Sequence, residues 1–353
     1  MHILVINFIL LLIVSLICSS QKHTKAKTKC FVCISFLLLL FFRTFVDVRS
    51  VPDLEAYSFG YDQIRHISFS KLATARIYDV KIAEVGFRYF MKFCSVFSLP
   101  FTFFLFLFGV LWLLGYNKVI NKYSPHIIIS LILLIVGSYN QSIFVLRQHL
   151  AMVVVFLSYK YIIEKDFPKY IGVIAIAFLL HQTAIIVLPL YFLYHVKGKM
   201  NVIMLMILVA VFLYYSFSYM LINVGNDVLR GYSLYIDSDE KTNATGAIIV
   251  AFELLTYTCT LKGHVLTDGI NRILFLSLVV GLIISICGIG YNPTSRLVMY
   301  YTSISFLTIP IIVKYAKNNI LKNAVVVLFV AVYAYVTFEG SGFVSLEDYR
   351  LDL

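Results

Sequence analysis

The chain has 353 residues, of which 61% are hydrophobic and 13% are charged, and its mean hydropathy is +0.90. This composition excludes a water-soluble globule, a disordered chain and a secreted disulfide scaffold, and it is typical of a protein that crosses a membrane many times. The net charge of +11 fits nucleic acid, anionic lipid or a topology signal, so the positions of the charges must decide.

Long apolar runs predict membrane-spanning helices, which need about 20 such residues. Twelve spans are predicted, at residues 3–20, 31–46, 96–114, 126–140, 143–160, 170–181, 183–195, 201–222, 246–261, 273–289, 297–313 and 323–338. The spans 170–181 and 183–195 are short, and a single tilted helix kinked near Pro189 is the alternative to a hairpin. The predicted fold is an all-α polytopic membrane protein that forms one integral membrane domain over residues 1–353.

The basic residues follow this topology. Sixteen of the 29 Lys and Arg residues fall in predicted cytoplasmic loops, which is the distribution expected of an orientation signal. Lys197 and Lys199 favour the hairpin, because a single span over 170–195 would place them outside. The charge therefore predicts membrane orientation, and no nucleic-acid partner is expected.

Two longer segments are predicted to lie outside the membrane. Residues 47–92 carry seven basic and six acidic side chains, so this segment is nearly neutral and is no polybasic lipid tether. It is long enough to fold over the membrane surface as short helices. Residues 223–245 form the second predicted outer loop.

Cofactor and metal motifs are missing from the sequence. Cys30 and Cys33 form a C-x-x-C pair without a second pair or histidines at metal-binding spacing. The sequence has no Walker motif and no dinucleotide-binding fingerprint. We therefore expect neither a cofactor nor a metal.

Polar residues interrupt apolar runs near the predicted outer face. Arg147 lies about one turn inside its span, His181 at the tip of the predicted hairpin, and Arg296 where a helix enters the membrane. Two arginines in a cavity of low dielectric constant form an anion site suited to phosphate, and a neighbouring histidine can accept a proton. Glu84 and Arg88 are spaced to lie on one helical face.

Each of these residues also has a purely structural interpretation. Arg147 would then extend to the headgroups, His181 would end a helix and Arg296 would cap an interface. Glu84 and Arg88 would form an ordinary exposed pair. Together, however, the residues favour transfer from a lipid pyrophosphate to a hydroxyl group.

Several segments resemble the EpsG-like, Wzy-type polymerases of bacterial surface polysaccharides. The segments that carry the resemblance are Arg43, Asp53-Leu-Glu-Ala-Tyr57-Ser-Phe-Gly-Tyr61, Glu84-Val-Gly86-Phe87, Val145-Leu-Arg147-Gln148-His-Leu-Ala151, Leu180-His181-Gln-Thr183-Ala184 and Arg296-Leu-Val-Met-Tyr300-Tyr301. The chain departs from the usual family pattern at Pro52, Leu180 and Thr183, which leaves the subfamily open.

The resemblance implies an inverting glycosyltransferase with an all-helical, C-type fold in the bacterial inner membrane and a periplasmic active site. It would join undecaprenyl-pyrophosphate-linked oligosaccharide units into O-antigen of lipopolysaccharide, capsule or exopolysaccharide. The lipid bilayer is its environment, and a chain-length regulator protein is the further partner considered. The roles assigned to this chain are His181 and Glu84 as catalytic residues, Arg147 and Arg296 as pyrophosphate ligands, and Asp53, Tyr57, Tyr61, Arg88, Gln148 and Tyr300 as sugar-binding or orienting residues. His181 is expected to deprotonate the acceptor hydroxyl, with Glu84 or Asp53 as the competing base or as the group that orients His181.

Other classes of membrane protein remain alternatives. A flippase or transporter of the same lipid-linked sugar would also need a cationic cavity, but along the whole membrane path. A membrane acyltransferase that modifies polysaccharide would place its histidine or arginines on the cytoplasmic side. A polymer ligase of the same fold is not distinguished by these residues.

Overall fold

The computed structural model describes residues 25–51, 53–75, 77, 84–196, 244–267, 269–288, 293–338 and 351. These residues are helical or irregular, and their β pairing consists of an isolated bridge between Val46 and Leu351. The predicted spans 3–20 and 201–222 lie outside the described residues, as does nearly all of the predicted outer loop 223–245.

Fourteen α-helices lie within the described residues. They are α1 (Lys25–Thr44), α2 (Leu54–His66), α3 (Val85–Ser95), α4 (Phe101–Tyr123), α5 (Ile127–Leu134), α6 (Gln141–Phe144), α7 (Leu146–Ile163), α8 (Phe167–Leu180), α9 (Pro189–His195), α10 (Thr245–Leu261), α11 (Ile270–Cys287), α12 (Pro293–Thr302), α13 (Ser305–Tyr315) and α14 (Asn319–Phe338). A π-helical turn, Ile135–Tyr139, follows α5. Short 3-10 helices span Val48–Ser50, Phe69–Lys71, Gln182–Val187 and Lys262–Leu266.

Five helical segments of the described chain are long and apolar enough to cross a membrane. They are Phe101–Tyr123, Thr245–Leu266, Ile270–Cys287, Ser295–Tyr315 and Asn319–Val336, and shorter apolar helices cover Ile127–Tyr139, Phe167–Leu180 and Gln182–His195. The predicted all-helical membrane class is therefore confirmed. The count of twelve spans and the C-type glycosyltransferase fold stay predictions.

The chain divides into two compact units. The first unit comprises Met1–Val153 and Ser305–Leu353, and the second comprises Val154–Ile304. Helix α7 contributes its N-terminal half to the first unit and the remainder to the second.

Close helix packing in the first unit depends on two glycines of α4. A Cβ atom at Gly115 would lie 2.1 Å from Cγ1 of Val153 on α7, and one at Gly109 would lie 2.9 Å from Cδ of Arg43 on α1. The missing side chains thus allow α1 and α7 to approach the backbone of α4. Aromatic rings fill the remaining interior, including Trp112, which is fully buried.

The second unit contains the predicted hairpin. Helix α8 ends at Leu180, and His181 has extended backbone angles (φ −157°, ψ 118°) before the 3-10 helix begins. Rings at the start of α8 pack against α9, because the centroids of Phe167 and Tyr191 lie 4.8 Å apart, so the two helices are antiparallel. The hairpin is confirmed. Its break lies at His181, while Pro189 is the first residue of α9, a position that tolerates proline.

The described part of the predicted outer segment 47–92 forms short helices, as expected. They are α2, α3 and the 3-10 helices Val48–Ser50 and Phe69–Lys71. Helix α3 packs against α2 and against the first turns of α4, which fixes the position of Glu84 immediately before α3.

Candidate active site

Arg147 lies at an interruption between helices. The chain leaves the π-helical turn, forms the short helix α6 and breaks at Val145, whose backbone angles are φ −89° and ψ 56°. Helix α7 then begins at Leu146. Arg147 is therefore in the first turn of its helix, whereas the sequence interpretation placed it one turn inside a span that began at residue 143.

Arg147 forms the centre of a buried polar cluster in the first unit. Its Nη1 donates to Oε2 of Glu84, and its Nε donates to the hydroxyl of Tyr57 at 2.9 Å. The side chains of Arg147 and Glu84 are only 14% and 6% exposed. No residue of the described part accepts a hydrogen bond from Nη2 of Arg147. One edge of this guanidinium is thus available to an anionic ligand.

The position of Glu84 corrects the interpretation of an exposed Glu84–Arg88 pair. Glu84 is the residue immediately before α3, and it is buried against Arg147. The N-terminal end of the helix dipole also favours a negative charge there. An ion pair with a guanidinium stabilises the charged carboxylate and weakens it as a proton acceptor. The observed geometry therefore suits a group that orients Arg147.

Arg88 has a structural environment of its own. Its Nη1 donates to backbone carbonyls in the loop after α2, namely those of Leu72, Ala73 and Ala75, at 3.0–3.4 Å. Burial lowers the pKa of the Arg88 guanidinium, an effect that the charge of Glu84 opposes. Arg88 thus ties α3 to the preceding loop.

Tyr57 presents its hydroxyl to the same cluster. It is buried on α2, and its ring packs edge-on against Phe87 with centroids 5.8 Å apart. Burial raises the pKa of Tyr57, whereas the charge of Arg147 lowers it. The phenol is therefore protonated at neutral pH, and its proton has no acceptor in the described part of the chain. The hydroxyl can donate to a ligand while it accepts from Arg147.

Asp53 and Tyr61 flank Tyr57 on the same helix. The carbonyl of Asp53 accepts from the Tyr57 amide at 3.1 Å, and Asp53 adopts left-handed backbone angles (φ 62°). Pro52, the departure from the family pattern, lies outside the described residues. Tyr61 is fully buried, and its hydroxyl donates to the carbonyl of Leu99 at 3.1 Å. Its contacts are those of a core residue.

The second unit brings the hairpin tip and α12 together. His181 is buried at the end of α8, and Oγ1 of Thr183 donates to the hydroxyl of Tyr300 at 3.3 Å. The neighbouring Tyr301 hydroxyl donates to the carbonyl of Ile186 at 2.6 Å. Arg296 lies one helical turn before Tyr300 and therefore on the same face of α12.

A family model describes almost this entire chain: the model of the EpsG family matches residues 29–347. The chain belongs to the EpsG family. EpsG is a Wzy-type polymerase-like family, so membership implies a glycosyltransferase-like polymerase related to exopolysaccharide or O-antigen. No match was found among curated proteins or among solved structures.

The predicted site residues of this EpsG-family chain lie in two groups. Arg147, Glu84 and Tyr57 meet in the first unit, where the fully buried Gln148 also lies on α7. His181, Tyr300 and Arg296 belong to the second unit. The pairing of Arg147 with Arg296, and the action of His181 beside them, stay predictions.

Arg43 is a residue whose role the sequence did not reveal beyond the family resemblance. It is buried on α1, and its guanidinium donates to the carbonyl of Ser142 at 2.7 Å and to the Ser142 hydroxyl. Three aromatic rings surround it, namely those of Phe108, Trp112 and Tyr139, at 5.0–5.5 Å from the guanidinium carbon. Arg43 thereby fixes α6, the segment directly before Arg147. Its position inside an apolar run was the available signal.

Metal-ligating side chains do not converge in the described part of the chain. No group of three or more His, Cys, Asp or Glu residues there could hold a metal ion.

Proposed function

We propose that this EpsG-family protein joins polyprenyl-pyrophosphate-linked oligosaccharide repeat units into a surface polysaccharide. The observation that carries the proposal is the buried Arg147 guanidinium, which is held by Glu84 and Tyr57 and keeps its Nη2 without a partner in the described residues. A preorganised guanidinium with a free edge suits a phosphate oxygen. Family membership supplies the reaction class.

Arg147 and Tyr57 act on the leaving group in the proposed reaction. The acceptor hydroxyl oxygen attacks C1 of the donor sugar, and the bond between C1 and the pyrophosphate oxygen breaks. The bonding electrons pass to the pyrophosphate, whose negative charge grows in the transition state. Donors that are already oriented stabilise such a charge most effectively, because they need no rearrangement as it forms.

Glu84 is proposed as a positioning residue. Its carboxylate orients Arg147 and offsets part of its charge, so that the donor lipid can both bind and leave. A base that is already paired with a guanidinium is a poor acceptor for the hydroxyl proton. This assignment replaces the competing hypothesis that Glu84 is the general base.

His181 is proposed to accept the proton of the attacking hydroxyl. Imidazole is the side chain suited to proton transfer near neutral pH. Arg296 is proposed as the second pyrophosphate ligand, and Tyr300 as an orienting residue on the same face of α12. The donor is an undecaprenyl-pyrophosphate oligosaccharide, and the site faces the periplasm of a bacterial inner membrane.

Reconstituted protein with a defined lipid-linked repeat unit tests the proposal. The wild type should release polyprenyl pyrophosphate and form a ladder of polymer, whereas Arg147→Ala should lose both products by about 100-fold or more. The matched control is Arg49→Ala, because Arg49 pairs with Asp47 in the same unit but is 77% exposed. A full ladder from Arg147→Ala at normal protein levels would refute the pyrophosphate role.

His181→Gln tests the proposed base, because glutamine retains size and hydrogen bonding without basicity. We expect a large loss of kcat, with the loss varying little above neutral pH. An unchanged rate would assign proton transfer to another group. Cysteine labelling at the exposed Gln182 tests the membrane side, because labelling from the cytoplasm would favour the acyltransferase alternative.

A transport assay separates the polymerase from the flippase. Cells that lack the protein should accumulate single-repeat lipid on the outer face, because transport continues without polymerisation. Accumulation on the cytoplasmic face instead would favour the flippase.

A further inference from the structure

Helix α3 exposes an aromatic face. Tyr89, Phe93 and Phe97 follow one another at intervals of four residues along α3 and its C-terminal extension, and they are 38%, 63% and 74% exposed. Residues four apart lie on the same side of a helix, so Tyr89 and Phe93 share one face, and Phe97 follows them in the turn after α3; these rings are called the stripe. Phe69 extends the stripe, because its ring stacks on that of Tyr89 with centroids 6.4 Å apart.

The two cations of α3 face the protein interior. Nζ of Lys92 donates to the carbonyls of Ile64 and Arg65 at the end of α2, at 3.3 and 2.9 Å. Arg88 binds the loop carbonyls described above. A helix in water would expose its cations and bury its aromatic rings. Helix α3 buries Phe87, but it exposes Tyr89 and Phe93 while both of its cations bind backbone carbonyls, which indicates that its outer face is not in water.

The depth of α3 follows from its contact with α4. The rings of Phe87 and Phe90 pack on Phe104 in the first turn of α4, with centroids 5.8 and 5.2 Å from it. Helix α4 has 23 residues, and its length of about 35 Å matches a hydrocarbon core of about 30 Å. Its first turn therefore lies near the membrane boundary, and α3 lies at the same level.

The loop between the two helices is also fixed. The carbonyl of Leu99 accepts from the Tyr61 hydroxyl at 3.1 Å and from Nη2 of Arg65 at 2.7 Å. Because α2 holds this loop, α3 cannot move away from the end of α4 without breaking these bonds.

We propose that α3 is an interfacial helix whose stripe of Phe69, Tyr89, Phe93 and Phe97 inserts into the headgroup region of the bilayer. Aromatic side chains favour this region of a membrane. The stripe ends at Phe97, four residues before the first residue of the membrane span α4, which favours a lipid surface over a second protein copy as its partner. Since backbone carbonyls bind both cations of α3, the insertion is apolar and does not depend on anionic lipid.

Tryptophan fluorescence measures this insertion. The chain has one tryptophan, Trp112, which Trp112→Phe removes while keeping a ring beside Arg43. Phe93→Trp or Phe97→Trp is introduced into this background, and Asp62→Trp, an exposed position on α2, is the matched control. The full chain is placed in nanodiscs that hold one copy each. The discs contain zwitterionic lipid brominated near the headgroup end of the acyl chain.

We expect brominated lipid to quench tryptophan at positions 93 and 97 and to leave position 62 unaffected. Iodide in the aqueous phase should quench tryptophan at position 62 more strongly than at positions 93 and 97. Added anionic lipid should change neither result. If Trp112→Phe does not fold, the same comparison is made in the wild-type background after subtraction of the Trp112 signal.

Two results would overturn the proposal. One is iodide quenching at 93 and 97 as strong as at 62, which would place the stripe in water. The other is shielding of 93 and 97 that appears only in discs with two copies, which would make a second copy of the chain the partner.

Discussion

The ion pair between Glu84 and Arg147 allows a test in which folding and chemistry respond differently. Exchanging the two residues, Glu84→Arg with Arg147→Glu, restores opposite charges at the same two positions. The exchange also replaces the proposed pyrophosphate ligand with a carboxylate. Each single change leaves two like charges in a site where the native side chains are 6% and 14% exposed.

The expected magnitudes follow from this burial. Breaking a buried pair by changing one partner costs about 3–5 kcal/mol of folding stability, and we expect the lower end because Arg147 retains some exposure. The double exchange should recover part of this loss, because it restores opposite charges but places a positive charge at the N-terminal end of α3 and removes the hydrogen bond to Tyr57. Activity should not recover, because removal of a preorganised donor to the growing charge lowers the rate about 10²–10³-fold.

Both quantities are measurable on the same reconstituted samples. Stability is taken from unfolding transitions in nanodiscs, and activity from release of polyprenyl pyrophosphate. In the control exchange, Asp47→Arg with Arg49→Asp, the Arg49 side chain is 77% exposed, so that the ion pair itself should contribute less than about 1 kcal/mol. Wild-type activity in the double exchange would refute the ligand role of Arg147, and failure to recover stability would refute the observed pairing.

Tyr57→Phe should lower activity by about 10–100-fold, because a hydrogen bond to a charged group contributes about 1.5–3 kcal/mol. It should also lower the free energy of unfolding below pH 10 by about 1–3 kcal/mol, because Nε of the buried Arg147 loses its acceptor. Burial raises the pKa of Tyr57 above its usual 10.0. The protonated phenol therefore contributes fully to folding stability below pH 10, and this contribution is lost as the pH rises through the raised pKa. Unfolding of the wild type and of Tyr57→Phe over a series of alkaline pH values checks the direction of this change. Arg43→Lys should lower the unfolding temperature, because one ammonium group cannot reproduce the hydrogen bonds of the planar guanidinium to the carbonyl and the hydroxyl of Ser142. An unchanged unfolding temperature would contradict the role assigned to Arg43. Gly115→Ala should destabilise the fold by about 1–3 kcal/mol, since its Cβ would lie 2.1 Å from the Val153 side chain. Gly172→Ala is the control and should be neutral or stabilising, because its Cβ would meet nothing within 4 Å. Equal unfolding temperatures of the two variants would disprove the close approach of α4 and α7.

The parts of the fold that the sequence predicted depend on local patterns. Hydropathy predicted the five long apolar helices that the described residues form. The charges of Lys197 and Lys199 predicted the hairpin that the packing of Phe167 on Tyr191 confirms. The predicted start of the helix that carries Arg147, at residue 143, was wrong by about one turn, because the helix begins at Leu146. No proline or glycine marks the break at Val145, so neither composition nor periodicity could reveal it.

Parts of the candidate site were predictable by residue but not by contact. Arg147 and Glu84 stood out because a charged side chain within an apolar part of the sequence is energetically costly. Their contact could not be predicted, because 63 positions separate them along the chain. The spacing of Glu84 and Arg88 suggested a local pair, and tertiary packing directed each to a different partner. Arg43 shows the same limit, because its partner Ser142 lies 99 positions away.

The proposed interfacial position of α3 would make bilayer thickness part of the geometry around Glu84. Helix α3 would follow the lipid surface, whereas Arg147 belongs to a bundle whose height the spans determine. A bilayer of short-chain lipids lowers that surface relative to the bundle and strains the connection between the two. The site would then respond to acyl-chain length without any lipid binding to it specifically, so hydrophobic mismatch becomes a physical variable of the reaction.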